Sequence, residues 1–268
     1  MKTLSLLTAI ALAIAVRGAF AQEPTAPDVT ALAKKTQNPV GDLVTLPFQF
    51  NFNNGGDYGD ETMFNLNVQP VMPFRLAENW NVIARAIIPF YSFPGGSPAE
   101  RVTGVGDFQA QLYVTPSNPG RLIWGLGPVL SFPTATNAFV ETGSWAAGPG
   151  AVALTMAGPW VIGGLVNQYW SYSDHGGDPE TNLFVFQPFI NYNFGKGWAV
   201  SFAPLMTANW DAPDGEEWTV PLGVGITRTT VFGKRPINIA AQYYANVERP
   251  AGSPANQLRI VLALLYPK

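Results

Sequence analysis

Along most of this chain apolar and polar side chains alternate, over runs longer than a soluble strand needs. From Val44 the apolar set is Val44, Leu46, Phe48, Phe50 and Phe52, interleaved with Thr45, Pro47, Gln49, Asn51 and Asn53. Successive side chains of a strand point to opposite faces, so a two-residue period describes a sheet with one apolar and one polar surface. Strands of soluble domains average about 5–6 residues, whereas a tilted strand that crosses a bilayer needs about 9–11. The run from Val44 is of the second kind.

The pattern recurs. Phe64, Leu66, Val68, Pro70, Met72 and Phe74 oppose Asn65, Asn67, Gln69, Val71 and Arg75. Trp80 to Phe90 opposes Asn81 and Arg85, and Phe108 to Val114 opposes Asp107, Gln109, Gln111 and Thr115. Leu122 to Phe132 opposes Gly125, Gly127 and Ser131, and Phe184 to Phe194 opposes Gln187, Asn191 and Asn193. Trp198 to Trp210 opposes Ser201, Thr207 and Asn209, and Trp218 to Ile226 opposes Thr219, Gly223, Gly225 and Thr227. Ile237 to Val247 opposes Asn238, Gln242, Tyr244 and Asn246, and Leu258 to Tyr266 opposes Gln257 and Arg259. Segments 145–157 and 160–172 are rich in Gly and Ala, and their faces are ambiguous.

These runs make about twelve segments, an even number, as single-chain bacterial outer-membrane barrels have. Connections alternate between short ones near 77–79, 116–120, 157–159, 195–197 and 232–235 and longer ones near 54–61, 93–104, 134–144, 173–180, 211–216 and 250–255. Such barrels combine short periplasmic turns with long outer loops. Aromatic residues gather at segment ends, among them Trp80, Trp160, Trp198, Trp210, Trp218 and Tyr266, where interfacial girdles are expected. The sequence therefore predicts an all-β fold: one transmembrane antiparallel β-barrel of about 12 strands. A secreted soluble sandwich also buries one face of each strand, so alternation alone fits both; run length and loop alternation favour the barrel. Pro47, Pro70, Pro73, Pro89, Pro128, Pro149, Pro188, Pro204 and Pro221 fall inside segments, where proline removes a ladder donor. Local bulges are expected there.

Composition removes several classes of chemistry. Of 268 residues 12% are charged, against roughly 25% in average domains. Lys+Arg is 15 and Asp+Glu 18, which argues against a basic nucleic-acid binder. With no Cys and one His, the chain lacks a disulfide framework, a thiol nucleophile and a His-cluster metal site. No cofactor is expected.

Three regions are predicted. Residues 1–21 read as a signal peptide, with Lys2 at its start, an apolar stretch from Leu4 to Val16, and Ala19-Phe20-Ala21 before a mature start at Gln22. Residues 22–41 form an N-terminal extension in which 28–36 suits a short helix, capped by Asp28 or Thr30 and stopped by Asn38-Pro39. That extension is either a partial plug in the barrel mouth or a periplasmic tail. The barrel spans 42–268. The resulting location is the bacterial outer membrane, with its lipid, lipopolysaccharide and barrel-assembly machinery as partners.

Several stretches carry a family resemblance. They include Leu32-Ala33-Lys34-Lys35-Thr36-Gln37-Asn38-Pro39-Val40, Gln69-Pro70-Val71, Gly104-Val105-Gly106-Asp107, Phe132-Pro133-Thr134-Ala135-Thr136, Gln187-Pro188-Phe189-Ile190-Asn191-Tyr192-Asn193-Phe194 and Trp218-Thr219-Val220-Pro221-Leu222-Gly223. Together they resemble the bacterial outer-membrane "MetA-pathway of phenol degradation" family, whose members are often labelled transporter or neuromedin U. The resemblance spans most of 31–268. It implies an outer-membrane barrel linked to uptake of aromatic or other apolar compounds, and it transfers no functional residues.

Catalytic constellations are weak. His175 lies in Ser173-Asp174-His175-Gly176-Gly177-Asp178 and reads as a solvated loop histidine. That loop with Glu180, or the group Asp57, Asp60 and Glu61, offers acidic side chains without the spacing of a calcium loop. Gly104-Val105-Gly106 and Gly148-Pro149-Gly150 precede no helix and are not nucleotide loops. The lumen is the remaining candidate. Its expected lining is Arg75, Arg85, Asp107, Gln109, Gln111, Gln187, Asn191, Asn209, Gln242, Tyr244 and Arg259. Arg85, Arg259 and Asp107 form either a solute-selecting ladder or a structural network filling the bore. Arg228, on the outward face, should lie at an interface near a turn, because charge at the bilayer midplane costs about 2–4 kcal/mol. The leading function is a passive channel or transporter for small molecules, aromatic or apolar ones among them. A closed structural or surface-interaction barrel is the alternative, and an outer-membrane hydrolase is the weakest reading.

Overall fold

The computed structural model describes residues 28–95, 100–137, 139–140, 145–173 and 181–267. Residues 1–27, on which the expected signal peptide falls, and the loop with Asp174, His175, Asp178 and Glu180 lie outside the described residues. One sheet holds fifteen strands: β1 (Val44–Asn54), β2 (Thr62–Val68), β3 (Val71–Ala77), β4 (Trp80–Phe93), β5 (Val102–Val105), β6 (Phe108–Pro116), β7 (Leu122–Phe132), β8 (Trp145–Ala157), β9 (Trp160–Ser173), β10 (Asn182–Gly195), β11 (Trp198–Phe202), β12 (Met206–Asn209), β13 (Trp218–Phe232), β14 (Arg235–Glu248) and β15 (Asn256–Tyr266). The chain ends meet where Val44 pairs with Tyr266, and β9 pairs with β10, so the sheet is closed. Breaks at Gln69–Pro70, Gly106–Asp107 and Ala203–Leu205 leave β2 with β3, β5 with β6 and β11 with β12 on shared staves, giving a barrel of twelve. Among the described residues no helix is long and apolar enough to cross a membrane.

The alternation sets the two surfaces. Outward positions hold exposed Met72, Phe74, Leu126, Ile162, Val224, Ile239 and Leu258. A closed sheet has no edge to pair and no second layer to cover this belt, so it requires an apolar surround. Rings meet at both rims of the belt. At the short-turn end Trp80 touches Trp124 (5.9 Å) and Trp160 touches Tyr192 (4.8 Å). At the long-loop end Phe132 touches Trp145 (5.3 Å), and Trp210 touches Trp218 (5.5 Å). Arg228 is exposed beside the 195–197 turn, its guanidinium 4.8 Å from the Trp198 ring centroid.

Inside, the polar face is not continuous. Asn51, Asn65, Asn191, Ser201, Thr227 and Gln242 are buried on one side of the bore. The other side is a dry cluster in which Ile83, Tyr113, Val129, Val152, Leu154, Val161, Leu165, Tyr169 and Phe189 pack together. This departs from an expected inner surface made mostly of Asn, Gln, Thr and Ser. The Gly/Ala-rich strands β8 and β9 present Val152, Leu154, Val161 and Leu165 inward; small outward residues such as Ala151 and Ala153 hide that on β8, and on β9 apolar residues stand on both faces.

Most prolines do not bulge. Pro47, Pro73, Pro89 and Pro188 keep regular register opposite Ala263, Ile83, Asn67 and Gly164. In an antiparallel ladder each residue bonds to one neighbour only, so a proline removes bonding on one side alone. Pro221 does mark a bulge, after Val220, and Pro70 and Pro204 sit in the strand breaks. Pro128 pairs directly with Pro149 across β7 and β8. The missing donors fall on the far sides of that pair. There the pairing lapses without a change of register, between Gln111/Val129 and Val114/Leu126 and between Ala147/Trp170 and Gly150/Asn167.

Candidate functional site

Three local features build a cavity inside the barrel. The first is the segment before β1. Helix α1 (Val29–Thr36) starts at Asp28, whose carboxylate accepts from the Thr30 and Ala31 N–H groups at 2.9 and 3.3 Å. Leu32 then packs with Leu43, Ala263 and Leu265 on the inner wall of β15. On the opposite wall Lys34 Nζ donates to the Gly158 carbonyl at 2.7 Å, and Gln37 exchanges amide hydrogen bonds with Asn193. Val40 enters the dry cluster. Residues 28–43 therefore cross the short-turn mouth and are fastened on both sides of it.

The second and third features are the breaks at Gln69–Pro70 and Ala203–Leu205. At the first break the Gln69 N–H still donates to the Pro47 carbonyl, and its side chain accepts from Arg85 Nη2 at 2.5 Å. The Ala203 carbonyl accepts from Arg259 Nη1 (3.3 Å) and Gln187 Nε2 (3.5 Å). Between the N-terminal segment and the inner wall lies a cavity of about 260 Å³. Leu165, Phe189, Val71 and Val261 give it apolar walls; Gln69, Gln187, Asn191, Asn238 and Gln242 give it amides; Arg85 and Lys35 are its charges. Nearer the long loops a second space of about 240 Å³ is lined by Gln109, Ser131, Tyr169, Leu183 and Asn209.

The expected lumen residues divide accordingly. Arg85, Gln187, Asn191 and Gln242 line the larger cavity, and Gln109 and Asn209 the smaller. Gln111 is buried in the dry half, where its amide donates to the Tyr169 hydroxyl (3.3 Å) and the Tyr113 hydroxyl lies 3.4 Å from its carbonyl. Tyr244 is fully buried beneath Arg259, whose guanidinium carbon is 5.0 Å from its ring centroid. Two placements correct the sequence reading. Arg75 does not line the bore; it is exposed at the short-turn rim and donates to the Glu78 carbonyl, because β3 ends two residues later. Asp107 belongs to no ladder with Arg85 and Arg259. It is buried at the strand break, where its carboxylate accepts from the Thr134 and Ala135 N–H groups at 2.8 and 2.9 Å. Arg259 is held by Asn51 (3.2 Å), Gln257 (2.8 Å) and Ala203, which makes it a strut between staves.

Sequence reasoning left out Leu165, Phe189, Gln69, Ser201 and Asn238. The last three stand on the polar faces of their runs, so parity alone would have added them. Phe189 and Leu165 carry no such signal, since an inward apolar residue breaks the rule used to find the lumen.

No protein-family description and no curated protein sequence matches this chain. Solved structures do. The COG4313 outer membrane channel from Pseudomonas putida F1 is 15% identical, with a TM-score of 0.60 over 84% of this chain and 94% of that one. The NanC porin is 8% identical, with a TM-score of 0.53 over 84% of this chain and all 100% of that one. The likeness is one of fold, and it places the chain among barrels of the outer-membrane type.

Proposed function

We propose that this protein is a passive outer-membrane channel for small molecules with an aromatic or apolar body. The observation that carries the reading is the luminal cavity, in which Leu165, Phe189 and Val71 stand among the amides of Gln69, Gln187, Asn191 and Gln242. Such mixed linings suit a ligand with an apolar body and a few polar groups. The family resemblance of segments such as 187–194 supports an aromatic cargo. The apolar belt and the two aromatic rims support residence in a bilayer, with outer-membrane lipid and lipopolysaccharide as surroundings and the barrel-assembly machinery as the route there. The reading assigns no catalytic step.

Reconstitution tests it. Vesicles carrying the full chain should take up benzamide faster than empty vesicles, and planar bilayers should show small discrete conductance steps. A second reading has its own support. The dry cluster and the fastened N-terminal segment leave little open cross-section, as a closed structural barrel would. Bilayers that stay silent, with uptake equal to that of empty vesicles, would establish this second reading and remove the first.

A further inference from the structure

The two luminal arginines are held in opposite ways. Arg259 gives hydrogen bonds to Asn51, Gln257 and Ala203 and lies against the Tyr244 ring. Arg85 sits deep in the barrel, yet among the described residues its single hydrogen-bond partner is Gln69. Among the described residues no carboxylate lines the cavity that it faces, and Lys35 adds a second positive charge at the N-terminal segment. A guanidinium offers five donors in a planar fork that matches a carboxylate. A half-buried guanidinium facing a cavity with no counter-ion among the described residues is less well solvated than in bulk water, and a bound anion relieves that.

We infer that the cavity takes organic monoanions: one-ring or short-chain carboxylates whose charge is held by Arg85 and whose apolar body lies against Phe189, Leu165 and Val71. The inference rests on the channel reading and names its solute class. Gln69 holds Arg85 from one side and leaves the rest of the fork free for the ligand. The acidic side chains of the long-loop end, such as Asp211 and Glu216, do not line this cavity, so they do not compete for the fork.

A charge series of one shape tests it: benzoate, neutral benzamide and cationic benzamidine, titrated into the detergent-solubilised full chain with tryptophan fluorescence as readout. Benzoate should bind about ten-fold or more tightly than benzamide, the scale of a charge-assisted hydrogen bond. Benzamidine should bind weakest. Arg85→Gln should bring benzoate down to the benzamide level, a loss several-fold larger than the one benzamide itself shows. Arg85→Lys, which keeps charge but loses the fork, should fall between. A folded barrel migrates differently from a heat-denatured one on a gel, which verifies that each variant is assembled. In bilayers under a potassium benzoate gradient the reversal potential should favour the anion in the wild type and lose that preference in Arg85→Gln. Equal affinity across the series, or a benzoate preference that survives Arg85→Gln, overturns the inference while benzamide uptake still upholds the channel. Silence in bilayers with the charge series intact would instead overturn the channel and leave Arg85 as an anion site.

Discussion

Gln37 and Asn193 exchange two amide hydrogen bonds, of 2.9 and 3.0 Å, between the segment that crosses the barrel mouth and the wall of β10. This pair lies 156 residues apart in sequence, and it ties the N-terminal segment to the stave opposite the one that Leu32 packs against. Replacing Gln37 with Ala frees that end of the segment. Single-channel conductance should rise, while stability against denaturant should fall by only about 1 kcal/mol. Asn193→Ala should raise conductance alike but cost somewhat more stability, because it also loses the 2.9 Å bond to the Pro159 carbonyl, and the double variant should add little to Asn193→Ala. Fully additive effects in the double variant would show that the two amides act separately.

The facing prolines 128 and 149 are flanked by glycines that the wall cannot replace. A Cβ on Gly127 would lie 1.8 Å from the Leu112 carbonyl oxygen, and one on Gly148 would lie 1.8 Å from that of Gln168. Both contacts are to backbone of the neighbouring stave, so no side chain can move aside. Gly127→Ala and Gly148→Ala should each cost about 3 kcal/mol or more in refolding into vesicles, the range of severe overpacking. Gly120→Ala, which meets nothing within 4 Å, is the neutral control. Wild-type refolding of the two wall variants would show that the staves part there easily.

The barrel was legible because parity is a strong signal on strands that bury opposite chemistries. Phe50 and Asn51, or Tyr243 and Gln242, announce their faces directly. The site was half legible. Parity finds Gln187 and Asn191 but not Phe189 between them, because the interior accepts apolar residues wherever they pack on other inward ones. Arg75 has the parity of an inward residue but stands at the rim, and parity carries no information on height along the axis. Asp107 was misread for a related reason. A carboxylate beside a strand break is taken by free N–H groups of the adjoining loop, and the break is not visible in the alternation.

Arg259 and Arg85 should also differ in what they do for folding. Arg259→Met removes three hydrogen bonds and the charge over Tyr244, and it leaves the Gln257 carbonyl without that donor. A loss of about 2 kcal/mol is expected, softened because Gln49 and Gln187 still donate to Asn51 and Ala203. Arg85→Gln gives up one hydrogen bond and should stay within about 1 kcal/mol of the wild type. Urea unfolding of the barrel in vesicles measures both. Equal losses would mean that Arg85 is a strut as well.

The outer loops supply a pH test. Tyr58 is the last residue of the 3-10 turn Gly56–Tyr58 and lies with its ring 6.4 Å from Phe93. Its phenol is pushed above the ordinary value of 10.0, first by burial and second by the Asp57 carboxylate. Both causes favour the neutral phenol in the folded protein, so the native state holds this proton more tightly than the unfolded chain does. The contribution is therefore complete below pH 10.0 and is lost as pH rises through the folded value. Tyrosinate absorbance of Tyr58, isolated by subtracting a Tyr58→Phe variant, should appear later than that of a free tyrosine. Asp57→Asn should move it back by the smaller part only, because burial remains. A complete return to the ordinary value would reverse the order of the two causes and make the carboxylate the stronger.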